Sequence, residues 1–212
     1  MLDPNDFIIT RKRKKYKFAQ FANSPLCFEF DEWRKQPVDI VEIGAGNGLF
    51  SVELAERYPE RQFVALDVKG DRLQKGAYEA AARGLTNVQF IRARADQVLE
   101  LFTSASLMAI WVTFPDPFPR ERSAGRRLTH PTFLARYGEL LCPEGALHLK
   151  HDNRDFFHWS LEQFVQKGWY IDELSFDLHE SDLSDEYKIQ TTYERRWLSE
   201  GLVTNFARVR KR

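Results

Sequence analysis

Five short apolar runs, at 38–43, 62–67, 88–92, 107–114 and 146–150, alternate with amphipathic stretches at 49–57, 71–83, 96–102, 131–141 and 154–166. Strands that alternate with helices of this length indicate βαβ units and a mostly parallel sheet with helices on both faces. The first four runs are apolar without alternation, as strands buried on both faces should be. After Gly168 the pattern changes. Residues 169–178 and 202–210 alternate apolar with polar, and no clear helical period separates them, so an antiparallel hairpin at the sheet edge is expected. Residues 1–36 read as a basic arm with a short helical lead-in, and 37–212 as a single α/β domain. A chain of 212 residues suits one domain and buries enough surface to fold without a metal or disulfide staple.

Cys27 and Cys142 are isolated in sequence, so neither a zinc ribbon nor a disulfide framework is expected. His148 and His151 have no third ligand at metal spacing, and no metal site is expected. The longest apolar run, 105–114, is too short to span a membrane. The N-terminus lacks the basic start and apolar core of a signal peptide, which points to a cytoplasmic protein. The 31 basic residues balance the 31 acidic ones, but they are segregated. Six of the seven residues at 11–17 are basic, four arginines lie within 120–127, and the tail carries Arg208, Arg210, Lys211 and Arg212. Seven carboxylates gather between Asp172 and Glu186. Local potential steers a charged ligand, so the basic segments suit a nucleic-acid partner, the plain alternative being a solvated arm and tail.

The sequence Val38-Asp-Ile-Val-Glu-Ile-Gly-Ala-Gly-Asn-Gly48 places a strand, a glycine turn and a helix start in succession. Such a turn lets a ligand approach the backbone. Asp67 ends the next strand 19 residues after Gly48, where a carboxylate can accept both hydroxyls of a ribose. A nicotinamide fingerprint would need glycine at position 49, which is Leu49. The spacing is instead Gly44, Gly46, Gly48, preceded by Glu42. A carboxylate at the loop mouth repels a pyrophosphate and suits a ligand that carries an ammonium and a sulfonium. These features point to S-adenosylmethionine, with S-adenosylhomocysteine as product.

At this point the chain resembles the class I methyltransferases, which implies a Rossmann-like fold. The resemblance implies that Glu42, Gly44, Gly46 and Gly48 hold the methionine portion and Asp67 the ribose. It also implies an acid beside the adenine after the third strand. Asp96 is the candidate, although counting back from Asp116 without a gap puts that acid's position on Arg94.

The fourth strand runs into Phe114-Pro-Asp-Pro-Phe118, then into the arginine-rich 120–127 loop. At the carboxyl edge of a parallel sheet such a loop is expected beside the cofactor's reactive end. Prolines on both sides stiffen the backbone at Asp116. Phe118 is suited to stack on a base, and the arginines to hold phosphates. This stretch is similar to the F-P-D-P-W-P-K-x-R-H-x-K-R-R loop of the tRNA (guanine-N7-)-methyltransferase family. Thr191-Thr-Tyr-Glu194 is similar to that family's T-x-Y/F-E motif, and Asp152 to its fifth-strand aspartate. Phe118 stands where the family has tryptophan, Arg120 where it has lysine, and Ser123, Ala124 and Gly125 replace much of the His/Lys portion.

The resemblance implies methylation at N7 of a guanine in the variable loop of tRNA. Asp116 would be the catalytic, orienting residue and would also border the cofactor. Arg120, Asp152, Thr191, Thr192, Tyr193 and Glu194 would bind the substrate, with Glu194 reading the guanine edge that carries N1–H and the amine. The basic arm, loop and tail would hold phosphates. Two other readings stand beside this one: a methyltransferase of the same fold with another acceptor, and a non-catalytic RNA-binding relative. Monomer and homodimer are both compatible with the sequence.

Overall fold

The computed structural model describes residues 1–7 and 12–211. Arg11 of the arm and Arg212 of the tail lie outside the described residues. The chain divides into two compact units, Met1–Phe102 and Thr103–Arg212.

The first unit contains α1 (Lys12–Ala22), β1 (Cys27–Glu29), β2 (Ile40–Ile43), α2 (Leu49–Arg57), β3 (Phe63–Asp67), α3 (Gly70–Ala82), β4 (Val88–Arg92) and the short α4 (Val98–Leu101). Its strands lie in the order β1-β4-β3-β2 and all pair in parallel. Val41, Val64, Ala65, Leu66, Val88, Phe90 and Ile91 are buried. Successive residues on a strand point to opposite faces, so burial of Val64, Ala65 and Leu66 in a row means that both faces of β3 are covered. Pairing of Asp67 with Arg92 aligns the carboxyl ends of β3 and β4.

The lead-in is more structured than expected. β1 adds a strand beside β4, and the Trp33 indole is buried and donates to the Leu101 carbonyl at 2.9 Å. The stretch expected as a helix at 96–102 is a 3-10 turn, Ala95–Gln97, that runs into α4.

The second unit contains β5 (Leu107–Thr113), α5 (Pro131–Leu140), β6 (Leu141–His151), α6 (Arg154–Gln166), β7 (Trp169–Ser175), α7 (Thr192–Ser199) and β8 (Asn205–Lys211). The order is β5-β6-β8-β7, with β5 parallel to β6 and β8 antiparallel to both neighbours. The expected antiparallel pair is present, but β8 inserts between β6 and β7, so β7 lies outside it. The expectation of no helix between the two late strands is corrected by α7. Thr191 caps that helix, accepting from the Glu194 N–H at 3.0 Å, while the Glu194 carboxylate accepts the Thr191 N–H at 3.0 Å. This reciprocal capping box nucleates a helix whose eight residues are too few to show a helical period.

The tail is not a free cationic arm. Arg208 donates to Asp172 at 2.7 Å, and Arg210 is bonded to both oxygens of Asp172. These pairs join β8 to β7, so Arg208 and Arg210 belong to the sheet edge rather than to a loose tail.

Candidate functional site

The cofactor loop belongs to the first unit. β2 ends at Ile43, and the chain turns through Gly44, Gly46 and Gly48 at φ of 77°, 59° and 70°. These values fall where L side chains are strained. A side chain at Gly48 would meet the Phe90 ring at 2.6 Å, so that glycine also permits close packing of the turn on β4. At Gly46 a Cβ would meet nothing within 4 Å. The loop is therefore open above Gly46.

Asp67 braces this loop. Its Oδ2 accepts the Gly46 N–H at 2.9 Å, and its Oδ1 accepts the Lys69 N–H at 2.8 Å. Each oxygen keeps a second acceptor site. Burial raises the Asp67 pKa, and the two backbone N–H groups and nearby Lys69 and Arg72 work against that rise. Glu42 is buried at the end of β2, where it accepts from the Ser51 hydroxyl at 2.7 Å. Arg94 Nε donates to Asp96 at 2.9 Å, so the two candidates for the adenine side form one charged turn after β4. Open backbone at Gly46 and carboxylates at Glu42, Asp67 and Asp96 fit an S-adenosylmethionine ligand, with its cationic methionine end and hydroxyl-bearing nucleoside.

The second unit carries the Phe114–Phe118 loop. Its backbone is left-handed at Phe114, φ 48°, and at Phe118, φ 40°, a conformation that must be held from outside. The holding contacts are present. The Phe114 N–H donates to the Lys150 carbonyl at 2.9 Å, and His151 Nε2 lies 2.9 Å from the Pro115 carbonyl. His151 Nδ1 accepts the Asn153 N–H at 2.8 Å, so the ring proton sits on Nε2 and donates to Pro115. Burial lowers the His151 pKa and keeps the ring neutral. Arg127 completes the set. It is 8% exposed, donates from Nε to Pro117 at 3.1 Å and from Nη2 to Phe118 at 3.1 Å, and lies on the Trp159 ring at 4.3 Å.

These contacts divide the arginines of the loop. Arg127 holds the backbone of the loop and is not placed to grip a phosphate, which corrects that part of the expectation. Arg126 covers the Phe118 ring at 4.3 Å, so Phe118 already carries a stacking partner. Arg120 and Arg122 are exposed. Asp116 is exposed at the tip, and its carboxylate accepts no hydrogen bond from another described residue.

Asp116, Asp152 and Tyr193 are brought together. The Tyr193 hydroxyl has a raised pKa, first from desolvation, then from the Asp152 carboxylate, with Asp116 adding in the same direction. The Tyr193 ring packs against Phe114 at 5.4 Å and Trp197 at 5.4 Å. Thr192 is exposed beside it.

Glu194 stands apart from this group. It is fully buried, and its oxygens meet Lys150 at 2.7 Å, His179 at 2.9 Å, the Thr191 N–H at 3.0 Å and the Thr204 hydroxyl at 3.1 Å. Four partners occupy the four lone-pair positions of the carboxylate, so it has none left for a guanine. The expectation of direct base recognition by Glu194 gives way to a supporting one: its ion pair with buried Lys150 ties α7 to β6.

The bracing roles of Arg127, His151 and Lys150 were not legible in the sequence. An arginine among arginines and a lysine inside a strand carry no signal of burial. Among the described residues no group of three His, Cys, Asp or Glu side chains is placed to hold a metal, and no helix is long and apolar enough to cross a membrane.

A glycine turn braced by the acid of the following strand, with an antiparallel strand beside a parallel pair, is the arrangement of the class I methyltransferase fold. The solved structure of a 16S rRNA methyltransferase, KamB, matches with a TM-score of 0.60 at 16% identity, over 85% of this chain and 90% of that one. A family model described as "Putative methyltransferase" matches residues 36–206. The tRNA (guanine-N(7)-)-methyltransferase of Brevibacillus brevis is 34% identical over 190 residues, 87% of each chain. That of Cytophaga hutchinsonii is 39% identical over 170 residues, 79% of this chain and 77% of its own. The chain belongs to the tRNA (guanine-N(7)-)-methyltransferase family.

Proposed function

We propose that this chain transfers a methyl group from S-adenosylmethionine to N7 of a guanine in the variable loop of tRNA, in the cytoplasm and without a metal. The observation that carries the acceptor side is the exposed, unpartnered Asp116 carboxylate at the tip of a loop that Arg127, His151 and Phe114 hold in a strained form.

S-adenosylmethionine, when bound, supplies the electrophilic methyl. Gly44, Gly46 and Gly48 provide backbone that a ligand can approach. Glu42 supplies negative charge at the loop mouth, Asp67 offers its spare acceptor positions to ribose hydroxyls, and Asp96 lies toward the adenine. N7 of guanine presents an in-plane lone pair at neutral pH, so the chain has no proton to remove and its contribution is positioning. The purine gains positive charge during transfer. Asp116 orients the base and stabilises that charge, and Asp152 adds to the same field. Tyr193 and Thr192 border the acceptor, and Arg120 holds a phosphate. Thr191 and Glu194 act through the geometry of α7.

The test is incubation of the protein with methyl-labelled S-adenosylmethionine and an unmodified tRNA transcript, followed by chain cleavage specific to N7-methylguanine. Label confined to the variable-loop guanine, and lost when that guanine is replaced, is the expected result. Cofactor binding without transfer would overturn the assignment of the acceptor.

A further inference from the structure

A groove of about 430 Å³ lies on the first unit between α1 and α3, and neither Asp67 nor the glycine loop is in its lining. Each helix presents a stripe at helical spacing to it: Tyr16, Ala19 and Gln20 from α1, with Asn23 just past its end, and Gln74, Ala77, Tyr78 and Ala81 from α3. The alanines make a shallow floor, and the two tyrosines stand exposed as walls, Tyr16 at 52% and Tyr78 at 73%. One end is closed by the N-terminal segment. Leu2 donates to Asn23 Oδ1 at 2.7 Å, and the Asn23 amide returns a bond to the Leu2 carbonyl at 3.0 Å.

Cations flank the groove on both helices without lining it. Arg13 lies one turn before Tyr16 and Lys17 one residue after it, and Lys75 lies one turn before Tyr78. None of the three forms an ion pair with another described residue, whereas Arg83 on the same unit is held by Glu53, Glu56 and Glu79. The Gln20 and Gln74 side chains likewise form no hydrogen bond to another described residue, so two amides are available to a base edge. Flat aromatic walls and free amides in the groove, with unpaired cations flanking it, match the chemistry of an unstacked nucleotide.

A second copy of the chain fits less well. A two-fold contact would set these flanking cations against their own copies, which like-charge repulsion opposes. We propose that the α1/α3 groove binds an unstacked nucleotide of the tRNA substrate, with the base against Tyr16 and Tyr78 and adjoining phosphates on Arg13, Lys17 and Lys75. This inference rests on the tRNA reading above and adds a second contact, remote in sequence from the 114–118 loop.

The experiment measures binding of labelled, unmodified tRNA to the full chain by fluorescence anisotropy across a salt series. The Tyr16→Ala/Tyr78→Ala variant should bind about tenfold or more weakly while keeping its salt slope, since stacking is removed and phosphate contacts stay. Tyr16→Phe/Tyr78→Phe should restore affinity. Arg13→Ala/Lys17→Ala/Lys75→Ala should flatten the slope by about two units. Calorimetric affinity for S-adenosylmethionine should be unchanged in every variant, which establishes that the fold is intact. Wild-type methylation of tRNA together with an affinity of the alanine variant within twofold of wild type would overturn the groove and leave the enzyme reading intact. A change in molar mass by light scattering without a change in tRNA affinity would assign the groove to a second copy instead. A wild-type chain that neither binds nor methylates tRNA would remove both.

Discussion

The guanidinium of Arg127 donates to the Phe118 carbonyl at 3.1 Å while its face lies 4.3 Å from the Trp159 ring centroid. A planar fork can serve the Pro117 and Phe118 carbonyls and stack at the same time, which a lysine ammonium cannot. Arg127→Lys should therefore lower turnover about ten- to a hundredfold by loosening the Asp116 loop, with cofactor affinity unchanged. Steady-state kinetics beside calorimetry of S-adenosylmethionine binding separates the two, and a normal turnover number would refute the bracing role.

Asp116 is exposed and forms no hydrogen bond with another described residue, so its loss should leave stability within about 0.5 kcal/mol. Asp116→Ala should abolish measurable methyl transfer, a loss of about a hundredfold or more. Cofactor affinity should stay within about tenfold, which is about 1.4 kcal/mol. Near-normal transfer by this variant would move the orienting role to Asp152.

Asp67 accepts from Gly46 and Lys69, so Asp67→Ala leaves two backbone donors without their acceptor. Each unsatisfied group costs about 1–3 kcal/mol if water does not replace the carboxylate. The affinity for S-adenosylmethionine should fall at least about tenfold, and the melting temperature should fall with it. Calorimetry of the variant checks this, and an unaltered dissociation constant would detach Asp67 from the cofactor.

Lys150 and Glu194 are fully buried and 2.7 Å apart. Lys150→Met would strand the Glu194 charge and should cost about 3–5 kcal/mol, whereas Lys150→Met/Glu194→Leu should cost less than the single change. Urea melts of both variants give the comparison. A double variant less stable than the single one would show that the remaining partners of Glu194 depend on its charge.

Burial pushes the His148 imidazole down to about 3 from its ordinary 6.5, with Arg208 acting in the same direction. A group held neutral in the native state contributes stability that is complete above its unfolded pKa. As pH falls below about 6.5, the unfolded chain takes up the proton first, so stability declines from there toward pH 3. The depressed pKa of Glu194 adds a further decline at lower pH, as its carboxylate is protonated. Thermal melts should show a falling midpoint over this window, and His148→Gln should flatten the upper part. A midpoint independent of pH between 6.5 and 4 would contradict the buried neutral ring.

Much of the first unit was legible because its signals are local. A glycine that must take positive φ, a strand buried on both faces and an acid at a strand end each leave a mark within a few residues. Glu42, Gly44, Gly46, Gly48 and Asp67 could therefore be named from spacing. Asp116 stood out for the same reason, between two prolines at the end of an apolar run.

The rest depended on neighbours distant in sequence. Arg127 and Arg120 are both arginines in one polar loop, yet one is buried under Trp159 and the other is exposed, a difference set by packing against α6. Glu194 reads in sequence as a recognition residue, but Lys150, 44 residues earlier, shares its carboxylate. The arginines of β8 read as a loose tail until antiparallel pairing placed Asp172 of β7 beside them. Residue type and spacing encode backbone conformation and chemical capacity. Which polar groups remain free to act is settled by long-range contacts, because a group whose hydrogen-bonding positions are all filled by protein partners has none left for a ligand.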